Sequence, residues 1–472
     1  MRLHYTKLVA LILILFFTSI NIFAQDITGQ WYGLLKISGI ELRLVLNIAK
    51  TDSGYVSTLD SPDQKATNIP VTATSYINPV LKFAVSNLKV TYEGTVNKDK
   101  IIVGTFTQSG HSVPLNLSRE KTDKVEKVKY QEPKKPYPYY SEEVQFENKV
   151  AKITLAGTLT LPQKEGKFPV VVLISGSGPQ NRDEEMLGHK PFLVLSDYLT
   201  KNGIAVLRYD DRGVALSKGD FKSATSKDFA TDVEAAIAFL RTRNEINLNS
   251  IGLIGHSEGG IIAPMVAGKD PAISFIVLMA GTGIPGGQLL LLQQQLIGKD
   301  AGVSDADLQK NKVVNKGAFD IITKYNNEAN LKADLTNYIQ KTIKDIPAAL
   351  RAKGVSDEDL VNGQVEQLTM PWTTYFIKYN PAIILQKIKC PVLAINGAND
   401  LQVPAKINLE AIKAALLKGG NKNVTTMEFP NLNHLFQESK TGSPSEYANI
   451  DQTISPLVLE EIAKWILKQV KN

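Results

Sequence analysis

Within this 472-residue chain, Gly255-His256-Ser257-Glu258-Gly259 carries residue types and a spacing suited to acyl transfer. A serine hydroxyl is a weak nucleophile alone, so the chemistry needs it exposed on a tight turn beside a base. The apolar run before it, Leu253-Ile254, and Ile261, Ile262, Ala263, Met265 and Val266 after it predict a strand, a sharp turn and a helix. Side chains at Gly255 and Gly259 would block such a turn, and a helix N-terminus beside Ser257 favours negative charge.

A base and an orienting acid must complete the site. The histidines beyond residue 24 are His111, His189, His256 and His434. His256 is inside the turn, His189 precedes Pro191 at a helix start, and His111 lies in a Gly-Ser-rich turn, so none of these is read as the base. His434 follows Phe429-Pro430-Asn431-Leu432-Asn433, a loop after the last apparent strand, and is the candidate base. The buried run Val392-Leu393-Ala394-Ile395 leads into Asn396-Gly397-Ala398-Asn399-Asp400, making Asp400 the candidate acid, with Glu428 as the alternative. The order Ser257, Asp400, His434 suits nucleophile, acid and base on successive strand ends of one α/β sheet. Such a triad works through an acyl-enzyme and requires no metal or organic cofactor, and the chain shows no metal-ligand spacing.

Further motifs stand in order around the elbow: Ser175-Gly176-Ser177-Gly178-Pro179-Gln180-Asn181-Arg182-Asp183, Arg208-Tyr209-Asp210-Asp211-Arg212-Gly213, and Asn433-His434. With them the chain, from about residue 141, resembles the α/β-hydrolase superfamily, and within it the EstD-type bacterial serine carboxylesterases, related to serine-aminopeptidase-like hydrolases. The resemblance implies an oxyanion hole from the backbone N–H groups of Ser177 and Glu258. It departs at Ser175, where many relatives carry His. It also implies a small-molecule ester substrate of short to medium acyl chain. A serine aminopeptidase or acylpeptidase is the alternative, and a ligand-binding protein acting through its β-domain is a further one.

These residues need a scaffold. Phe168 to Ser175 is a continuous apolar run, as befits a strand buried on both faces. Strands and helices alternate through Phe275 to Ala280, and more than a hundred residues of helical period then intervene before Cys390. Within them Leu331, Leu335, Ile339 and Ile343 recur every four, and Trp372, Tyr375, Phe376 and Tyr379 share one face. The expectation is an α/β-hydrolase fold over 141–472, a mostly parallel sheet with flanking helices and a helical cap insertion at about 282–388.

Ahead of it, residues 25–118 alternate apolar and polar in short runs such as Ile40 to Ile48, predicting a small all-β barrel or sandwich of about eight strands. Its Gly29-Gln30-Trp31 resembles the Gly-x-Trp of lipocalin-like barrels. Residues 119–140 read as a linker, because the basic run Lys121 to Lys135 is interspersed with Asp123, Glu126 and Glu132. The formal net charge is +6, and removing Arg2 and Lys7 with a leader leaves about +4. No one-sided basic stripe with interleaved aromatics is present, which argues against nucleic-acid binding.

Residues 1–24 read as a secretory signal peptide: Arg2 and Lys7, an apolar stretch from Leu8 to Phe17, and cleavage after Ala24. That stretch is shorter than the ~20 residues a membrane span needs, so no stable membrane anchor is expected after cleavage. Cys390 is the single cysteine, which excludes an intramolecular disulfide and a lipid-bearing Cys after the leader. An exported, periplasmic or secreted protein is expected, and its oligomeric state is left open.

Overall fold

The computed structural model describes residues 26–37, 40–64, 66–108, 111–121, 129–325, 330–347, 350–351 and 356–470. The leader expected over residues 1–24 lies outside them. The chain divides into two units, residues 1–37 with 41–124, and residues 38–40 with 125–472.

The first unit holds β1 (Gly29–Ile37), β2 (Ile40–Thr51), β3 (Gly54–Ser61), β4 (Ala66–Pro70), β5 (Ala73–Ile77), β6 (Val80–Val85), β7 (Val90–Val96), β8 (Ile102–Gln108) and β9 (His111–Ser118). All nine form one sheet in the order β4-β3-β2-β1-β9-β8-β7-β6-β5. The result is a half-barrel, not the closed barrel or two-sheet sandwich expected. Period-two alternation says which face of a strand is buried but not what covers it. In β7, Val90, Tyr92 and Val96 point inward and Thr91, Glu93 and Thr95 outward. The curl of the same sheet covers the inward face, with Ser57 Oγ of β3 2.5 Å from Thr74 Oγ1 of β5. Trp31 is buried in this core. Its Nε1 donates to the Ile27 carbonyl at 2.8 Å, and the Arg119 guanidinium lies 3.9 Å from its ring centroid.

The second unit begins with β10 (Tyr140–Asn148), β11 (Ile153–Leu161), β12 (Phe168–Ile174), α1 (Pro191–Lys201), β13 (Ala205–Tyr209), α2 (Ser226–Leu240), β14 (Ile246–His256), α3 (Gly259–Ala267) and β15 (Phe275–Met279). Helices α4 (Gly286–Asp300), α5 (Asp305–Lys324), α6 (Leu331–Thr342), α7 (Asp357–Thr369), α8 (Pro371–Lys378) and α9 (Pro381–Leu385) follow. The unit closes with β16 (Val392–Gly397), α10 (Ala405–Lys418), β17 (Val424–Phe429) and α11 (Pro456–Val470).

The eight strands form one sheet, β10-β11-β13-β12-β14-β15-β16-β17. Strands β12 to β17 pair in parallel, whereas β10 pairs antiparallel with β11, and β11 antiparallel with β13. The sheet is therefore mixed, a correction to the mostly parallel sheet expected. Antiparallel neighbours need only a short link, and the Lys149–Lys152 turn supplies one between β10 and β11.

Strand β12 shows why its sequence is continuously apolar. Val170, Val172 and Ile174 join the core under α2, α3 and α10, while Val171 and Leu173 join the core under α1 and α11. Helices α5 to α7 have an apolar cluster of their own, built from Val314, Ile322, Leu335, Ile339, Val361 and Val365.

Where β14 meets α3, a Cβ on Gly255 would stand 2.0 Å from the Gly259 carbonyl oxygen, and one on Gly259 2.2 Å from the Ile174 carbonyl oxygen. Backbone cannot retreat as a side chain can. Gly255→Ala is therefore expected to destabilise the fold by at least about 3 kcal/mol, read as a large fall in thermal midpoint. An unchanged midpoint would disprove the close approach.

Candidate active site

Ser257 stands at the C-terminal end of β14 with φ +51°, a left-handed conformation strained for any residue but glycine. The surroundings hold it there: its N–H donates to the Met279 carbonyl at 2.8 Å, and its carbonyl accepts from Gly260 N–H at 2.9 Å. The side chain is partly exposed, and its hydroxyl makes no hydrogen bond among the described residues.

Asp400 and His434 are brought together in loops after β16 and β17. His434 Nδ1 is 2.7 Å from Asp400 Oδ2, and both side chains are buried. The other carboxylate oxygen, Oδ1, accepts from the N–H groups of Gln402 and Val403, each at 2.8 Å. With Nδ1 donating to the carboxylate, Nε2 keeps its lone pair and can accept a proton. Buried Asn433 shapes the turn: its Oδ1 accepts from Leu435 and Gln437 N–H at 3.0 and 2.9 Å. Glu428, the alternative acid, is exposed on β17.

His256 links the two halves. Its ring centroid lies 4.9 Å from that of His434, and its Nε2 is 3.1 Å from the His434 carbonyl oxygen. Because His256 directly precedes Ser257, this contact ties the His434 backbone to the nucleophile turn, while no hydrogen bond joins Ser257 Oγ to His434 Nε2 among the described residues. His189 is elsewhere and structural, its ring nitrogens bonded to Thr453 Oγ1 and the Tyr447 carbonyl. Burial, then nearby Lys129, pushes its pKa down to about 4.

The loop after β12 approaches the serine, and a Cβ on Gly176 would lie 3.2 Å from Ser257 Cβ. Gly176 N–H is taken by Glu184 Oε1 at 2.7 Å. The N–H groups of Ser177, Gly178 and Glu258 have no acceptor among the described residues. The Arg-Tyr-Asp-Asp-Arg motif braces this loop. Asp211 accepts from Ser175 Oγ at 2.8 Å and Gln180 N–H at 2.9 Å, Asp210 pairs with Arg182, and Arg212 with Asp232. Burial pushes the Asp211 carboxyl up to about 8. A strained serine, an imidazole with a free Nε2 and unpaired N–H groups together can perform acyl transfer.

Two side chains contribute in ways no motif signals. Glu184 is one; the other is the side chain of Glu258, which is buried and accepts from Ser226 Oγ at 2.5 Å and from Trp372 Nε1 of α8 at 2.8 Å. Trp372 stacks on Phe376, whose ring enters the core of the sheet. A Glu beside a nucleophile reads as solvent-facing, and only the distant indole reveals its direction.

Burial pushes the Glu258 carboxyl from 4.5 up to about 7, against the two hydrogen bonds that lower it. The folded state thus holds this proton more tightly than the unfolded one. Its stabilisation is full below about pH 4.5 and is lost as pH rises through about 7, at about 1 kcal/mol per pH unit. Glu258→Gln is expected to flatten the decline in thermal midpoint between pH 5 and 8, and parallel curves for variant and wild type would refute this.

Residues 152–415 match the model of the X-Pro dipeptidyl-peptidase (S15) family. Over 336 residues the chain is 26% identical to Esterase EstD of Thermotoga maritima, covering 70% of each protein. It is 30% identical over 149 residues to a thiohydrolase of Arthrinium phaeospermum, covering 31% of this chain and 44% of that one. Among solved structures, an esterase of Pyrococcus furiosus is similar at TM-score 0.40 and 15% identity, covering 71% of this chain and 92% of the other. Est1E of Butyrivibrio proteoclasticus with ferulic acid bound is similar at TM-score 0.40 and 17% identity, covering 70% and 100%.

Proposed function

The chain belongs to the X-Pro dipeptidyl-peptidase (S15) family and is an esterase-type α/β-hydrolase, and we propose on that premise that it is an exported serine carboxylesterase acting on short to medium acyl esters. The observation that carries the reading is the buried Asp400–His434 pair at 2.7 Å, tied through the His434 carbonyl to His256, the neighbour of the strained Ser257.

His434 Nε2 takes the Ser257 proton as Oγ attacks the ester carbonyl. The N–H groups of Ser177 and Glu258 receive the developing oxyanion, each such donor being worth about 2.7–4 kcal/mol. His434 then returns the proton to the departing alcohol, leaving Ser257 acylated. Water, deprotonated by the same imidazole, releases the acid and restores the hydroxyl. Asp400 holds the tautomer that leaves Nε2 free and stabilises the imidazolium. The leader over residues 1–24 directs export to the periplasm or medium, and N-terminal sequencing of the mature protein beginning at Gln25 would support its removal.

Hydrolysis of nitrophenyl esters of increasing acyl length, with fluorophosphonate labelling, tests the reading. A peptidase reading is favoured by the family match itself. Faster cleavage of aminoacyl or Xaa-Pro anilides than of nitrophenyl esters would establish it and remove the esterase one.

A further inference from the structure

His256 is buried, and both its ring nitrogens face acceptors. Nε2 is 3.1 Å from the His434 carbonyl oxygen, which can only accept, so Nε2 must carry hydrogen. Nδ1 is 2.9 Å from Glu184 Oε1, the same oxygen that accepts Gly176 N–H at 2.7 Å. Toward an ionised carboxylate, which can only accept, Nδ1 carries hydrogen too.

From this geometry we infer that Glu184 and His256 are positioning residues. The Glu184 carboxylate holds His256 as an imidazolium whose Nε2–H fixes the backbone of His434, and the same carboxylate, by accepting Gly176 N–H, fixes the loop before Ser177. The inference rests on His434 being the base of the proposed reaction. One carboxylate thereby spans the nucleophile turn, the base and the oxyanion loop.

Other groups around His256 agree with the assignment. Facing it are Glu184 from the segment between β12 and α1, Asp400 and His434 from the loops after β16 and β17, and the Phe436 ring at 6.4 Å. Asp211, after β13, interacts electrostatically with Glu184. Burial pulls the His256 pKa down, but Glu184, the His434 carbonyl and Asp400 outweigh it and the net direction is up. A buried charge is tolerable only when paired in this way.

Glu184→Gln keeps the accepting oxygen and removes the charge. Deprived of its partner, His256 loses one N–H near neutrality and turns a lone pair toward an acceptor. The expected result at pH 8 is a fall in kcat for a nitrophenyl ester of at least about tenfold, with KM within about twofold. That deficit should shrink as pH falls further into the acid range, where the buried imidazole, held below its ordinary value once Glu184 is neutral, regains its proton. In protein labelled with ring-15N histidine, wild type at pH 8 should show one histidine with both nitrogens protonated. His256→Gln should remove that signal and so assign it, and Glu184→Gln should abolish it.

A single neutral tautomer at His256 in the wild type would overturn the inference, and this spectrum decides the matter should Glu184→Gln fail to fold. A deficit equal at every pH, or none, would overturn it as well. Activity surviving Ser257→Ala would instead overturn the triad reading, and the positioning role with it. An inactive Ser257→Ala beside a neutral His256 would remove this inference alone.

Discussion

Ser257→Ala is expected to lower kcat for ester hydrolysis by about six orders of magnitude, leaving only what positioning and the oxyanion donors supply. Fluorophosphonate labelling should vanish with it. The loss should be purely chemical, because the Ser257 hydroxyl makes no hydrogen bond among the described residues and alanine bears the same φ of +51° no worse. Circular dichroism and thermal midpoint should therefore match the wild type. Labelling that persists in the variant would move the nucleophile elsewhere.

Asp400→Asn carries the second largest effect, a fall in kcat of about four orders of magnitude. Asparagine preserves the shape and can still accept from Gln402 and Val403 N–H through its oxygen. Its amide nitrogen then faces His434 Nδ1 across the 2.7 Å contact. Two donors cannot share that contact, so the imidazole moves its proton to Nε2 and can no longer accept one from serine. Activity within tenfold of wild type would show that another carboxylate orients the imidazole.

What the sequence makes legible are features whose physics leaves a trace in residue type. Gly255 and Gly259 are glycine because carbonyl oxygens stand where a Cβ would be, and a buried strand end points to Asp400. Glu184 leaves no such trace. It sits in Arg182-Asp183-Glu184-Glu185, where nothing in residue type marks one carboxylate from its neighbours, and its partner His256 is 72 residues away. Glu258 and Trp372 are 114 residues apart. The half-barrel and the antiparallel edge of the second sheet were illegible for another reason. Alternation reports burial of a face, and neither the closure of a sheet nor the direction of a neighbouring strand changes it.

The placement of the helices between β15 and β16 bears on how such a protein can diversify. Ile276 pairs with Val392 and Met279 with Ile395 in parallel register, so the excursion leaves from the C-terminal end of β15 and re-enters at the start of the neighbouring strand β16, about 10 Å back along the sheet, whatever its length. Extending a loop costs little, about 0.6 kcal/mol per doubling, and α5 to α7 close their own apolar cluster. The segment is thus an exchangeable cassette: an engineer can trade it for another without re-registering a strand. One docking condition travels with the cassette, the aromatic helix α8, which seats Phe376 in the core and offers an indole N–H to Glu258.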